Sequence, residues 1–287
     1  MYADGAKVEK GKRITELMVE NADKPNKTNR ALLRRWDVQV RPGLTTASVQ
    51  LAHEQDLLAQ FAKREHQPLA LIWESDPALV VSPSDLHLPR FAAAARQSEA
   101  EGWPVSTRIT GGSAVPLAPG VINLSLIASW RTIRPTLGAA FRKLCGALID
   151  ALENLGVSAI TGHASRAFCD GRCNILVGDR KIAGTAQRQS SLSTHGAVLL
   201  HAAVILDADP VLLTDAVARF YAAAGDPRTF DADAVSSVAR ITRAADGDLR
   251  TAFISALANA LARPETVPAW CDTPSSPSSP AATSAGP

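Results

Sequence analysis

Cys169 is the strongest candidate for a nucleophile in the sequence. It lies in a polar loop, residues 168–174 (FCDGRCN), which leads into a short apolar segment and then a turn, residues 178–181 (GDRK). This pattern predicts a β-hairpin that brings Cys169 close to Lys181. A thiol near Lys181 and Arg172 is biased toward the thiolate, the form that attacks thioesters and activated acyl groups. The alternative is that Cys169 is a small, half-buried apolar residue.

Two glycine-bearing segments are candidates for contact with a ligand. Residues 107–115 (TRITGGSAV) place Arg108 and two adjacent glycines directly before a predicted strand, where backbone N–H groups can approach an anion. The alternative is a hairpin turn with a solvated arginine, since the phosphate motifs GxGxxG and GxxxxGK[ST] are both absent. Residues 184–188 (GTAQR) suit close approach of the backbone to a flat or extended ligand, or else form a β-bulge.

Four side chains of the zinc-binding type occur in this half of the chain: Cys169, Cys173, His163 and His195. Their spacing is CxxxC with one histidine on either side, whereas zinc sites use paired CxxC and HxxxH knuckles. We therefore predict no metal site. We expect His195 to be a structural histidine in a turn and His201, within an apolar strand, to face a partner side chain.

The hydrophobic pattern predicts an α+β fold in which a mixed β-sheet is backed by helices. Leucines and a phenylalanine recur at spacings of three and four over residues 137–155, and Gly156 follows as the C′ glycine of a helix. Residues 121–128 alternate as a half-buried strand does. Further strands are predicted at 69–73, 79–81, 157–160, 174–177, 180–183 and 197–206, and further helices at 49–61, 210–221 and 246–261.

Composition divides the chain into four segments. Residues 1–30 are lysine-rich and residues 264–287 are mostly Pro, Ser, Thr and Ala. Neither segment can bury enough apolar surface to offset the entropy of ordering, so both are predicted to be disordered. The main domain is predicted to span residues 31–225, and residues 226–263 are predicted to form a C-terminal helical appendage.

Charge and composition exclude several classes of function. The 30 Lys and Arg residues nearly balance the 28 Asp and Glu residues, and only 5% of residues are aromatic, so no nucleic-acid surface is expected. No stretch reaches the roughly 18 to 20 apolar residues of a membrane helix, and the N-terminus lacks the apolar core of a signal peptide. Four irregularly spaced cysteines suit a reducing compartment, so a cytoplasmic location is expected.

Four segments, taken in order, resemble the family of lipoate-protein ligases and octanoyl (lipoyl) transferases, which shares its fold with biotin-protein ligases. They are RITGGSAV from Arg108, FCDGRCNILV from Phe168, GDRKIAGTAQR from Gly178 and HGAVLL from His195. The resemblance covers residues 32–221 and implies that residues 31–225 are the catalytic domain.

The resemblance also implies a role for each of nine residues. Cys169 would be the nucleophile and Lys181 would hold the carboxyl or thioester oxygen and balance the charge that develops there. The substrate-binding residues would be Arg108, Thr110, Gly111 and Gly112 along the acyl pocket, and Gly184, Thr185 and Ala186 on the opposite wall. The chain departs from relatives at Leu117, where they carry a histidine, and at Cys173, where an aromatic residue is common.

The implied activity is transfer of an octanoyl or lipoyl group onto a lysine of a lipoyl-carrier domain through a cysteine thioester, without a cofactor. The implied partners are the glycine cleavage H protein or a 2-oxoacid dehydrogenase E2 protein, with acyl-carrier protein as a possible donor. The pocket would be an apolar slot, in which seven buried methylenes at about 0.8 kcal/mol each contribute about 5 to 6 kcal/mol. Neither nucleic acid nor a membrane is an expected partner.

Two alternatives remain open from the sequence. In the first, the protein is an ATP- and Mg²⁺-dependent lipoate-protein ligase that forms an acyl-adenylate, and Cys169 has no catalytic role. The second is a non-catalytic module that binds lipoate. The short segment after Tyr221, where ligases often have a sizeable accessory domain, favours acyl transfer over ligation.

Overall fold

A seven-stranded mixed β-sheet lies between two layers of helices. The computed structural model describes residues 36–131, 137–192, 195–242 and 246–263. The strands in these ranges are β1 (Asp37–Thr45), β2 (Leu69–Ser75), β3 (Ala78–Val81), β4 (Val105–Thr107), β5 (Val115–Leu117), β6 (Val121–Arg131), β7 (Ile160–Gly162), β8 (Asn174–Val177), β9 (Arg180–Leu192) and β10 (His195–Ile205). The large sheet has the order β1-β2-β6-β10-β9-β8-β7, and β4-β3-β5 form a small second sheet.

The helices in the described ranges are α1 (Ala47–Lys63), α2 (Phe91–Ala100), α3 (Leu137–Glu153), α4 (Pro210–Ala224), α5 (Val238–Thr242) and α6 (Asp246–Ala262), with short 3₁₀ helices at Asp85–His87 and Ala232–Ala234. In the large sheet β1 pairs with β2 in parallel and the other pairs are antiparallel. The predicted α+β fold with a mixed sheet is confirmed. None of the described helices has both the length and the apolar character needed to cross a membrane.

The sheet separates two hydrophobic cores. Successive residues of a strand face opposite sides of the sheet, so Leu71 and Trp73 of β2 enter the core that α1 and α4 cover. Ala70 and Ile72 enter the other core, which α3 and α6 cover. Because helices cover both faces, residues 121–128 of β6 are buried throughout, rather than half-buried as their alternation predicted.

The register of three central strands aligns the residues that line the site. On β10, His201 pairs with Ser125 of β6 on one side and with Ala186 of β9 on the other. Two residues along β10, Ala203 pairs in the same way with Asn123 and Gly184. These six residues form two adjacent rows on the face that α1 covers, about 7 Å apart along the strands.

Most elements lie where the hydrophobic pattern predicts them, and one strand is displaced. Residues 157–159 do not form a strand, and β7 begins at Ile160. The backbone N–H of Val157 instead donates to the carbonyl of Leu152, and that of Gly156 donates to Glu153, which together close the end of α3. Helix α2 and strand β1 were not predicted, because they bury few large apolar side chains. Strands β4 and β5 were not predicted either, because each has only three residues.

The predicted appendage packs closely against the rest of the fold. Leu249 and Phe253 of α6 are buried in the core that α3 also fills, and Arg250 forms an ion pair with Glu74 at the end of β2. The division at residue 225 stays a prediction. The predicted disordered segments, residues 1–30 and 264–287, lie outside the described residues.

Candidate active site

An open cleft runs between α1 and the sheet and ends at the loop that carries Cys169. Its volume is about 660 Å³, including the mouth that opens to solvent. Apolar side chains form most of its walls, among them Leu51, Val80, Val115, Leu117, Val121 and Ile205. Cys169, Lys181 and Arg108 lie together along its lining, so the cleft combines an apolar channel with a charged, nucleophilic group.

The loop holds Cys169 in an unusual backbone conformation. Its φ of 46° lies in the left-handed region, and it is the one non-glycine residue with positive φ in the described ranges. The carboxylate of Asp170 secures the loop by accepting hydrogen bonds from the backbone N–H of Ala164 (2.8 Å) and from the side-chain amide of Asn174 (2.7 Å). Strained residues of this kind occur at functional sites because the surrounding contacts fix them.

Lys181 is buried beneath this loop. Its side-chain Nζ donates to the carbonyl oxygens of Phe168 and Cys169, both at 2.7 Å, and it has 1% of its surface exposed. Gly184 leaves room for this side chain, because a Cβ there would lie 3.1 Å from Nζ. Burial lowers the pKa of Lys181 to about 8, although the charges of Cys169 and Asp170 act in the opposite direction. Cys169 and Lys181 therefore lie close together, as predicted.

Arg108 contacts the sulfur directly. Its Nη2 donates to the carbonyl of Ser113 at 2.8 Å and to Sγ of Cys169 at 3.5 Å. Burial alone would raise the pKa of Cys169, but the charges of Arg108 and Lys181 outweigh it. Hydrogen bonds from Arg108 and the Ser113 backbone add to their effect, so the pKa is lowered.

Arg172 does not act on Cys169 as the sequence suggested. Its charge instead influences the thiol of Cys173, whose pKa is lowered to about 7, mainly by a hydrogen bond with Cys145. The reason is geometric, because the side chain of Arg172 is exposed whereas Cys169 faces the cleft and Arg108.

The predicted substrate-binding residues fall into two groups. Arg108, Gly184, Thr185 and Ala186 line the cleft, and Thr185 is fixed by a 2.7 Å hydrogen bond to the carbonyl of Cys173. The other three, Thr110, Gly111 and Gly112, are not part of its lining. Thr110 is fully buried, whereas Gly112 is exposed and lies directly against the side chains of Arg108 and Cys169. Leu117 makes that part of the wall apolar.

A buried polar cluster on the α1 side of the cleft was not predicted. Glu54 of α1 has 1% of its surface exposed, and it forms hydrogen bonds of 2.5 Å with Nε2 of His201 and with Oγ of Ser125. Trp73 donates to Ser125 at 3.0 Å. Burial would raise the pKa of Glu54, but the charge and hydrogen bond of His201 and the hydrogen bonds of Ser125 and Gln50 lower it. His201 thus faces a partner side chain, as expected.

The described side chains among those considered as zinc ligands do not form a metal-binding cluster. Nδ1 of His163 lies 3.6 Å from a carboxylate oxygen of Asp170, and the side chain of His195 lies outside the described part of the chain. Among the described residues, no group of three or more His, Cys, Asp or Glu side chains is placed to hold a metal ion.

The fold and the site define the chain as an α+β catalytic domain in which a cysteine, a lysine and an arginine meet at an apolar cleft. The profile of the lipoyl protein ligase A/B catalytic domain matches residues 46–262. The chain therefore belongs to this family, as the resemblance implied, and it is an enzyme of the lipoyl or octanoyl transfer type.

Individual relatives support this assignment. An octanoyl-[GcvH]:protein N-octanoyltransferase from Kyrpidia tusciae is 31% identical over 218 residues, which is 72% of this chain and 74% of that protein. An uncharacterised protein from Cupriavidus necator is 34% identical over 215 residues, which is 68% of this chain and 83% of that protein.

Solved structures show the same fold. A lipoate-protein ligase A bound with ATP has a TM-score of 0.60 at 22% identity, covering 82% of this chain and 90% of its own. A bipartite lipoate protein ligase from Thermoplasma acidophilum, studied with its E2 lipoyl domain, has a TM-score of 0.55 at 22% identity, covering 82% of this chain and 88% of its own.

Proposed function

We propose that the protein transfers an octanoyl or lipoyl group to a lysine of a lipoyl-carrier domain through a thioester on Cys169. The observation that carries this proposal is the Cys169 thiol, which has a lowered pKa and borders an apolar cleft beside Arg108 and Lys181. The thiolate is the nucleophilic form of cysteine, and the apolar walls favour a medium-length acyl chain. Relatives named as octanoyltransferases support the same activity.

In the first half-reaction the Cys169 thiolate attacks the acyl carbonyl carbon of the donor. A C–S bond forms, and the carbonyl oxygen takes the negative charge of a tetrahedral intermediate. Two hydrogens of the Lys181 ammonium are held by the carbonyls of Phe168 and Cys169, which leaves the third for this oxygen. The intermediate then collapses, the bond to the donor breaks, and Lys181 supplies the proton that an amine leaving group requires.

In the second half-reaction the amine of the acceptor lysine attacks the thioester. A C–N bond forms, the C–S bond breaks, and Cys169 leaves as the thiolate. Lys181 takes up the proton that the amine loses, since its pKa of about 8 allows the neutral form. Neutral Lys181 still has two N–H groups for the two carbonyls, so both its hydrogen bonds survive the proton transfer.

We further propose that the donor is an octanoylated glycine cleavage H protein and that the acceptor is an E2-type lipoyl domain. Two findings support this pairing: the name of the K. tusciae relative begins with octanoyl-[GcvH], and the T. acidophilum ligase was studied with its E2 lipoyl domain. Acyl-carrier protein is the alternative donor. We place the reaction in the cytoplasm, where thiols such as Cys169 stay reduced.

We also propose that the transfer requires neither ATP nor Mg²⁺. The donor carbonyl is already linked to a leaving group, and Cys169 supplies the covalent intermediate that an acyl-adenylate provides in a ligase. A ligase would instead require a free acid, and its Cys169 would have no catalytic role.

Intact-protein mass spectrometry tests this function. Wild type and Cys169→Ala are mixed in the absence of ATP with octanoylated glycine cleavage H protein, or with an octanoyl thioester as the alternative donor. A hydroxylamine-treated sample controls for thioester lability. We expect a hydroxylamine-sensitive octanoyl adduct on wild type and on the matched control Cys173→Ala, and no adduct on Cys169→Ala. Addition of a carrier domain should then remove the adduct and acylate the carrier.

The ligase alternative gives the opposite pattern. No adduct would form on wild type, and the carrier would be modified only when free acid, Mg²⁺ and ATP are supplied. Binding of lipoate or octanoate without modification of any carrier would assign the protein to the non-catalytic class.

A further inference from the structure

The two cations at the site contact different atoms of Cys169. Lys181 donates to its carbonyl oxygen and to that of Phe168, each at 2.7 Å. Arg108 donates to its sulfur at 3.5 Å. The side chain that sequence reasoning assigned to substrate binding therefore has the direct contact with the reacting atom.

Several features hold Arg108 in this position. The carbonyl of Ser113 accepts a 2.8 Å hydrogen bond from the same Nη2. The following N–H, that of Ala114, donates to the hydroxyl of the fully buried Tyr221 at 2.8 Å, which ties this loop to α4. Gly112 has φ of 108°, and a Cβ there would lie 2.8 Å from Nη2 of Arg108 and 2.9 Å from Sγ of Cys169. Only glycine leaves space for the contact.

We propose that Arg108 is a catalytic residue whose guanidinium holds Cys169 as the thiolate in the resting enzyme. This inference rests on the proposed function, because it takes Cys169 as the nucleophile. It divides the labour between the two cations: Arg108 stabilises the sulfur anion, and Lys181 stabilises the oxyanion and exchanges protons with the amines.

The different acidities of a guanidinium and a buried ammonium favour this division of roles between Arg108 and Lys181. A guanidinium stays charged at every pH at which proteins are folded. Lys181, with a pKa of about 8, is partly neutral in the range where an amine acceptor reacts. A thiolate that relied on Lys181 would lose its counter-charge whenever Lys181 gave up a proton, whereas a guanidinium does not give up its proton in proteins. Among the described residues, Asp170 in the Cys169 loop is a further charged group that acts on Lys181.

The pH dependence of Cys169 alkylation tests the proposal on the full-length enzyme without an acyl donor. Iodoacetamide reacts with the thiolate, and mass spectrometry of the Cys169 peptide separates its modification from that of Cys145 and Cys173. The midpoint of the rate profile is compared among wild type, Arg108→Gln, Arg108→Lys, Lys181→Gln and Arg172→Gln. Arg172→Gln is the matched control, since it removes an arginine charge that acts on Cys173 instead.

We expect Arg108→Gln to raise the midpoint by about one pH unit or more, which is about a tenfold loss of thiolate below the midpoint. Lys181→Gln should raise it by less, and Arg172→Gln should leave it unchanged. Arg108→Lys, which retains a charge without the forked geometry, should fall between wild type and Arg108→Gln. Thermal unfolding of each variant identifies any that fails to fold, and Arg108→Lys then carries the test.

An unchanged midpoint in Arg108→Gln would overturn the proposal, as would a larger rise in Lys181→Gln. A midpoint in Arg108→Lys above that in Arg108→Gln would show that a positive charge at this position does not favour the thiolate, and it would also overturn the proposal. The proposed function fails separately, because its failure is the absence of an octanoyl adduct on Cys169, and alkylation is measured without any acyl donor.

Discussion

Lys181 shows how burial prepares one side chain for two opposite tasks. Its ammonium is enclosed beneath the Cys169 loop, and burial lowers its pKa to about 8 even though neighbouring negative charges favour the protonated form. A lysine with an ordinary pKa of about 10.4 would remain protonated at neutral pH. The lowered pKa lets Lys181 supply a proton in one half-reaction and accept one in the other.

The lowered pKa of Lys181 predicts how the rate of the second half-reaction depends on pH. The rate at which a carrier domain removes the octanoyl group from isolated octanoyl-enzyme should rise steeply with pH up to the pKa of Lys181, which is at or below about 8 once acylation removes the Cys169 charge. Above that pKa the rate should rise less steeply, because only the acceptor amine still loses its proton. Single-turnover quenched-flow measurements from pH 6 to about 10 would record this change of slope. In Lys181→Gln the rate should be lower and should rise with a single slope toward the pKa of the acceptor amine. A Lys181→Gln profile with the same change of slope as wild type would contradict the assignment.

At the scale of elements, the cluster of Glu54, His201 and Ser125 joins α1 to two strands. A carboxylate with 1% of its surface exposed is costly unless it is paired, so each partner matters for folding. Because the pKa of Glu54 is lowered in the folded protein, its contribution to stability is present above the ordinary carboxyl pKa. That contribution is lost as the pH falls through the lowered value.

We expect substitutions of Glu54 and His201 to have non-additive effects on the free energy of unfolding. His201→Leu leaves the Glu54 carboxylate buried without its main partner and should reduce the free energy of unfolding by about 3 to 5 kcal/mol. The double variant Glu54→Leu/His201→Leu removes both groups and should be more stable than His201→Leu alone. Urea unfolding at pH 7 measures both. A double variant that is less stable than His201→Leu would contradict this expectation.

The sequence predicted the parts of the site that local patterns determine. The apolar segments on either side of the turn at 178–181 form one hairpin, and this is enough to bring Cys169 near Lys181. The contact between Arg108 and Cys169 spans 61 residues, and the one between Glu54 and His201 spans 147. Such contacts depend on how strands pair and how α1 packs, which hydrophobic periodicity does not encode. For this reason the sequence alone could not show that Arg108, and not Arg172, is the arginine that contacts the Cys169 thiol.

At the scale of the whole molecule, the C-terminal helix α6 contributes to the same core as the sheet. Phe253 and Leu257 are fully buried with residues of α3, and Arg250 pairs with the buried carboxylate of Glu74. The same carboxylate accepts a 3.1 Å hydrogen bond from the N–H of Gly120, just before β6. Packing of this extent joins the predicted appendage to the unit that holds the active site.

Unfolding of the whole molecule should therefore be a single transition that α6 helps to stabilise. Phe253→Ala removes a fully buried aromatic ring and should reduce the free energy of unfolding by about 3 to 5 kcal/mol. The matched control Ser255→Ala, at an exposed position of the same helix, should change it by less than about 0.5 kcal/mol. Far-ultraviolet circular dichroism and tryptophan fluorescence, followed together in urea, should give coincident curves for each variant, because α6 and the sheet share one core. If Phe253→Ala instead produced an early transition that left the tryptophan signal and octanoyl transfer to Cys169 intact, residues 226–263 would be a separate appendage, and the active site would not depend on them.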